Sequence, residues 1–359
     1  MKAEYIIPVI AILLVVTVSG CVDFPGFSSL FGTNQQTVEQ SPDIIIMKDV
    51  NVIPNPPIMA GNDFSLTFIL KNQDMSGQEI KNVDLKLYNW GVCEPKYTDD
   101  QINFYPDGWE EKEGYWINTF DEMTSQEEQL IELEFTAPSN ERIGKLSADC
   151  PIKWEVSYDF SAISQDDFAV ISRERNKELA KAGLTWEGSD QPEYVGIGPV
   201  KLYYRFNTPM PVQSGSSIQF ALWAEDRGVG IYPKILANTM FIKVPKEWVS
   251  SDFDTANASC KGGFEVLTSE QLTTGTLPNS ATAYAIADVG VDKDDYVTYT
   301  NYKDISFINR KTPEIICSFT APDLDTAGVP EKTYLFSANV TDYNYKVLED
   351  QTVNIKPSV

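Results

Sequence analysis

The side chains able to do chemistry are informative first by what is missing. The 359 residues contain no histidine. That excludes Ser-His-Asp and Cys-His nucleophile activation, His-ligated zinc and any imidazole switch near neutral pH. Carboxylate-pair and Ser-Lys chemistry stay open, but no motif marks either one. No catalytic residue and no cofactor is therefore assigned, and the chain is expected not to be an enzyme. Two acidic loops, Asp292–Asp295 and Asp323–Gly328, lack the spacing and closing glutamate of a calcium hand. They read as solvated turns, so no metal is expected. The remaining candidate is the aromatic segment 102–120, "INFYPDGWEEKEGYWINTF". Its Tyr105, Trp109, Tyr115 and Trp116 lie among Asp107, Glu110, Glu111 and Glu113. Such a set could stack sugar rings and bond their hydroxyls, or anchor a protein partner. The competing reading is a hairpin around Pro106-Asp107-Gly108 whose aromatics pair across strands.

The five cysteines carry a different message. An apolar run from Ile6 to Val18 follows Lys2 and stops at Ser19-Gly20-Cys21. It falls short of the about 20 residues a membrane-crossing helix needs and has the form of a secretory signal. Val18-Ser19-Gly20-Cys21 resembles the lipobox of prokaryotic lipoproteins. That resemblance implies cleavage after residue 20 and a lipid on Cys21. Cys93, Cys150, Cys260 and Cys317 are then left as an even set in an exported chain, expected to form two disulfides. Three connectivities are open. The nearest-neighbour one closes two loops of 57 residues (150 − 93 and 317 − 260), each stabilising by about 4 kcal/mol in the chain-entropy model.

A formal charge of −24, from 28 basic and 52 acidic residues, repels phosphate backbones and excludes nucleic acid as an expected partner. It also repels anionic membrane surfaces, so a lipid anchor is the expected means of staying at a membrane. Residues 22–43 are rich in Gly, Ser, Pro, Gln and Asn without a period. They read as a flexible tether reaching roughly 25–30 Å.

Beyond the tether the sequence repeats. Pro57-Ile58-Met59-Ala60-Gly61 matches Pro211-Val212-Gln213-Ser214-Gly215, at an offset of 154. Strict alternation follows each copy: Phe64, Leu66, Phe68 and Leu70, then Ile218, Phe220, Leu222 and Ala224. These are half-buried strands. Second strands place Val83, Leu85 and Leu87 inward, and Met240, Ile242 and Val244 inward with Lys243 outward. The later halves repeat as well, with Phe135-Thr136-Ala137-Pro138 on Phe319-Thr320-Ala321-Pro322 at an offset of 184. Parity puts Ile131, Leu133 and Phe135 in one core and Ile315, Cys317 and Phe319 in the other. Last strands carry Ile152, Trp154, Val156 and Tyr158, and span roughly Tyr334 to Val340. Between the copies, Ser172 caps a ten-residue polar helix that Gly183 ends, expected as a spacer at the domain junction.

The expected architecture is all-β: two tandem immunoglobulin-like β-sandwiches joined by a short helical linker. The boundaries are 1–20 signal, 21–43 tether, 44–165 first sandwich, 166–198 linker, and 199–359 second sandwich with an insertion near 262–312. The Pro-x-x-x-Gly turn, Leu70-Lys71-Asn72 and Lys81-Asn82-Val83-Asp84-Leu85-Lys86-Leu87-Tyr88 resemble cell-adhesion-related immunoglobulin-like domains of archaeal and bacterial surface proteins. That resemblance implies a stalk, envelope or adhesion module without catalysis, on an archaeal or other prokaryotic cell. Asn257-Ala258-Ser259 and Asn339-Val340-Thr341 are N-glycosylation sequons. The reading as a whole is a lipid-anchored protein on the extracellular face of the membrane, structural or adhesive, with a surface protein or glycan as partner. The alternative is a carbohydrate- or ligand-binding module working through segment 102–120.

Overall fold

The computed structural model describes residues 43–74, 79–98, 101–144, 146–184, 198–232, 234–249, 259–261, 263–267 and 295–358. The signal segment, Cys21, nearly all of the tether, Asn257, Asp292 and much of the insertion lie outside the described residues. Residues 41–359 form one compact unit. Twelve strands carry it: β1 (Ile45–Ile53), β2 (Asp63–Asn72), β3 (Ile80–Asn89), β4 (Tyr115–Met123), β5 (Glu128–Thr136), β6 (Ala148–Ile171), β7 (Val200–Phe206), β8 (Ser217–Asp226), β9 (Met240–Pro245), β10 (Tyr296–Asn301), β11 (Ile315–Thr320) and β12 (Glu331–Lys356). The helix α1 (Arg173–Ala182) separates β6 from β7.

The repeat is visible in the pairing. β1, β2 and β5 form one sheet, and β7, β8 and β11 form its counterpart. The other six strands make a single continuous sheet in the order β4-β3-β6-β12-β9-β10. Its centre is an antiparallel ladder in which β6 pairs with β12 from Ala148↔Ile355 to Ile171↔Glu331. The alternating apolar residues assigned inward in both copies are buried, and the fold is all-β with sandwich-like sheets.

Each long strand serves both sandwiches. The first half of β6 pairs with β3, and its Trp154 stacks on Phe68 of β2. Its second half leaves that sandwich: Phe168 packs on Phe206 of β7 and on Trp248. β12 does the reverse. Phe336 packs on Phe220 of β8 in the second copy, whereas Tyr345 meets Tyr158 and Val353 and Ile355 are buried in the first. The position expected as a domain boundary, 165/166, lies inside β6.

One extra residue makes the exchange work. Phe160↔Tyr343 is followed by Ala162↔Val340, so Thr341 and Asp342 oppose Ser161 alone. This bulge switches the inward parity of β12 from even (Tyr334, Phe336, Ala338, Val340) to odd (Tyr343, Tyr345, Val347, Val353, Ile355). Without it, the register would turn the second apolar series to the opposite face.

The two repeat signatures meet each other. Gly61 donates its N–H to Pro138 O at 3.1 Å, and Gly215 donates to Pro322 O at 3.2 Å. Both glycines have positive φ, 79° and 70°, the left-handed conformation that explains their place in the turn. The residue before each glycine marks the exchange. Ala60 N–H bonds Lys356 O at the end of β12, and Ser214 N–H bonds Ile171 O at the end of β6.

Three expectations need correction. Lys243 is buried, because the outer face of the large sheet there is covered: Phe241, Thr298, Ser337 and Asn339 around it are buried too. The chain does not form a hairpin at Pro106-Asp107-Gly108. It crosses there from a short strand, Phe104–Tyr105, beside β5 to Glu110–Lys112 beside β4, and the Asn118 amide holds the crossing by donating to the Pro106 and Asp107 carbonyls. The two-residue turn lies at Glu113-Gly114 instead, between Lys112 and Tyr115. Third, α1 has no buried residue. It is capped by Ser172 as expected, and its bonds to Asp325 at 2.9 Å, from Arg173 N–H, and to Glu331 at 3.8 Å, from Arg175, are to the second copy.

Candidate functional site

The sequence candidates are dispersed. In the aromatic segment, Trp116 is buried and Trp109 packs edge-on against Phe104, which also meets Trp116 and Phe135. Both tryptophans thus serve the core of the first sandwich. Tyr105 stays exposed, and Tyr115 is half-buried with the Lys86 ammonium 4.2 Å above its ring. The four rings do not share one exposed face.

The cysteines pair as Cys93–Cys150 and Cys260–Cys317, all four buried. The first bond ties the loop after β3 to β6. The second joins directly opposite residues, Cys260 on a two-residue strand and Cys317 on β11. Asn339 sits in mid-β12, paired to Ile163 on one side and Phe241 on the other, and is buried. The folded chain does not present its amide to a glycosyltransferase. The Asp323 loop is a helix cap: its carboxylate accepts from Thr326 N at 3.1 Å, at the start of the four-residue helix Leu324–Ala327. Among the described residues no metal-ligand cluster occurs, and no helix is long and apolar enough to cross a membrane.

Two clusters emerge that sequence reading missed. The first is a buried acid–tyrosine knot where the copies meet. Tyr345 donates its hydroxyl to Asp226 Oδ1 at 3.0 Å, and Gly228 N–H reaches the same oxygen at 3.2 Å. Asp43, just ahead of β1, accepts from Val229 N at 2.9 Å, and Ile44 N–H donates to the Tyr158 hydroxyl at 3.3 Å. Arg310 donates to the carbonyls of Gly228 and Gly230. Burial pushes the Asp226 carboxyl above its usual range, against the Tyr345 hydrogen bond and the Arg310 charge. Burial likewise holds the Tyr158 and Tyr345 hydroxyls far above the ordinary phenol range. The two tyrosines therefore keep their protons, and the knot acts as a clasp.

The second cluster lies on the outward face of β7-β8-β11. Tyr203 and Trp223 are cross-strand partners, with rings stacked at 5.7 Å and 13°. Cations occupy both ends of this pile. The Arg227 guanidinium lies 5.8 Å from the Tyr203 ring, and Lys311 and Arg205 lie 4.4 and 5.8 Å from the Trp223 ring. Lys201 is two residues before Tyr203 on the same face, and burial together with Arg227 pushes its ammonium down to about 8. Two carboxylates are interleaved. Glu225 takes the Trp223 indole N–H at 3.0 Å and contacts Arg227 and Lys311; Glu314 contacts Arg205 and Lys311 at 3.5 and 4.0 Å. The signal for this cluster was the alternation Lys201-Tyr203-Arg205 opposite Trp223-Glu225, which acquires meaning only once the register is known.

No family profile matches the chain, and no curated protein matches it. Among solved structures, a protein of Corynebacterium diphtheriae described as membrane anchored is 6% identical over 88% of this chain and 91% of its own, with a TM-score of 0.23. A collagen-binding adhesin of Enterococcus faecalis is 10% identical over 87% and 95%, with a TM-score of 0.19. The collagen-binding domain of an Erysipelothrix rhusiopathiae surface protein is 12% identical over 87% and 97%, with a TM-score of 0.16. Superpositions this loose carry no argument about function.

Proposed function

We propose that the chain is a lipid-anchored protein of the extracellular face of the membrane, with a structural or adhesive role and no catalytic one. The observation that carries this reading is the β6–β12 ladder. It runs unbroken in its pairing, one bulge apart, through both sandwiches. Tension between the two sandwiches is borne by many backbone hydrogen bonds and two buried cores rather than by a linker. Paired cysteines in each copy support an oxidising compartment. The anchor in this reading is Cys21, and residues 22–42 are the spacer between lipid and fold, Asp43 being already buried in the fold.

Intact mass of protein extracted from native membranes tests the reading, before and after reduction, together with protease treatment of whole cells. The expected result is a mature N-terminus at Cys21 carrying acyl mass, four thiols revealed only by reductant, and loss of the protein on protease treatment. An unlipidated chain retaining Met1, or one protected from protease in intact cells, overturns it.

A further inference from the structure

We propose that the outward face of β7-β8-β11 binds an acidic polysaccharide, whose carboxylates or sulfates are taken by Arg227 with Lys201 at one end of the Tyr203–Trp223 pile and by Arg205 at the other, with Lys311 between them. The charge of this face runs against that of the molecule. The chain holds 52 acidic against 28 basic residues, yet among the described residues here three exposed cations, Arg205, Arg227 and Lys311, stand with two carboxylates, Glu225 and Glu314. The surplus is not masked by burial, since Arg205, Arg227 and Lys311 keep 53%, 56% and 42% of their side-chain surface. Ordinary ion pairing does not account for the arrangement either, because exposed pairs contribute only about 0–1 kcal/mol each.

The rings give the cations fixed places. Stacking of a guanidinium or ammonium on an aromatic face restrains a long side chain before any ligand arrives, which lowers the ordering cost of binding. Guanidinium groups also match carboxylate and sulfate oxygens through paired N–H donors.

Spacing selects the ligand. The cationic ends are the two arginines, in steps of 5.8, 5.7 and 5.8 Å from Arg227 through the rings to Arg205, while Lys311 contacts both Glu225 and Glu314 between them. A sugar chain with one acidic group every second unit places charges a disaccharide apart, with hydroxyls between them to meet Glu225 and Glu314. A nucleic-acid strand carries a charge about every 3.4 Å, too dense for two separated poles, and the rest of the molecule repels it. Lys201 and Arg205, four residues apart on β7, span about 13 Å of strand, the same scale.

This inference names a ligand for the adhesive reading and in that sense rests on it. The test uses full-length protein in detergent micelles. Immobilised hyaluronate offers carboxylates on alternate sugars, keratan sulfate offers sulfates without uronate, and dextran and poly-L-glutamate are the comparison polymers. The expected result is binding to hyaluronate or keratan sulfate well above dextran and poly-L-glutamate, weakening with salt; which of the two binds identifies the anion. Arg205→Gln with Arg227→Gln should weaken it at least 10-fold while Lys71→Gln, on the first sandwich, leaves it unchanged. Circular dichroism of each variant confirms folding. Equal binding to poly-L-glutamate, binding no tighter than dextran, or an unaffected double variant overturns the proposal. Protease treatment of whole cells reports surface display separately, so a missing ligand and a misplaced protein are told apart.

Discussion

Phe168 lies on β6, the strand that closes the first sandwich, yet its ring lies in the core of the second. It is fully buried, 4.5 Å from the Phe206 ring and 4.9 Å from Trp248. Replacing a buried phenylalanine by alanine costs about 3–5 kcal/mol through lost transfer energy and a residual cavity. The two ring pairs place Phe168→Ala near the upper end, since each contributes about 0.5–1.5 kcal/mol beyond area. At roughly 2–4 °C per kcal/mol for a fold of this size, the melting temperature should fall by roughly 10–20 °C. The location of the damage is more diagnostic than its size. Hydrogen exchange should accelerate in β7, β8 and β11 and leave β1, β2 and β5 comparatively protected. Ile355→Ala, buried in the first sandwich from a strand of the second repeat, should give the mirror pattern at a cost of about 2–5 kcal/mol. If Phe168→Ala loosened only the first sandwich and Ile355→Ala only the second, the strand exchange would be refuted.

Other consequences can be measured by chemical denaturation. Asp226 has a raised carboxyl in the folded state, so the native state holds its proton to higher pH than the unfolded chain does. Its contribution is complete below the unfolded value of about 3.9 and is lost as pH rises through the folded value. The stability of wild type minus that of Asp226→Asn should therefore decline with rising pH across that window; a rising difference contradicts the assignment. Gly228→Ala should destabilise by about 1–3 kcal/mol, because a Cβ would lie 2.1 Å from the Tyr345 hydroxyl and 2.6 Å from Pro199 Cβ. Unchanged denaturation midpoints would show that the clasp yields. Cys260→Ser with Cys317→Ser should cost about 2–4 kcal/mol, and peptide mapping without reductant should recover only the 93–150 and 260–317 pairs.

The sheet faces were legible from sequence because burial on one side writes itself as alternation, as in Phe64 to Leu70 and Ile218 to Ala224. The repeated turn and Phe-Thr-Ala-Pro signatures were legible for the same local reason, and they prove to be partners. The length of β6 was not. From Ser161 to Asp167 its sequence is Ser-Ala-Ile-Ser-Gln-Asp-Asp, which by propensity is a loop. It is a strand because β12 supplies a partner for that whole stretch, a tertiary cause with no local trace. The parity switch in β12 is hidden likewise, since a bulge is defined by the opposing strand. The aromatic segment misled because ring content measures hydrophobic supply and exposure alike. Trp109 and Trp116 were spent on the core, whereas the exposed cation–aromatic pile joins Tyr203 and Trp223, residues on different strands.

The crossing of β6 and β12 also governs what a cut can do. A protease that opened the backbone between α1 and β7 would yield two pieces, neither of which owns a complete hydrophobic interior. Each would retain the wall its neighbour lacks, so the pieces would stay clasped as a complementing pair and separate only on denaturation. The same economy bars the halves from being shuffled singly into other proteins: they travel together.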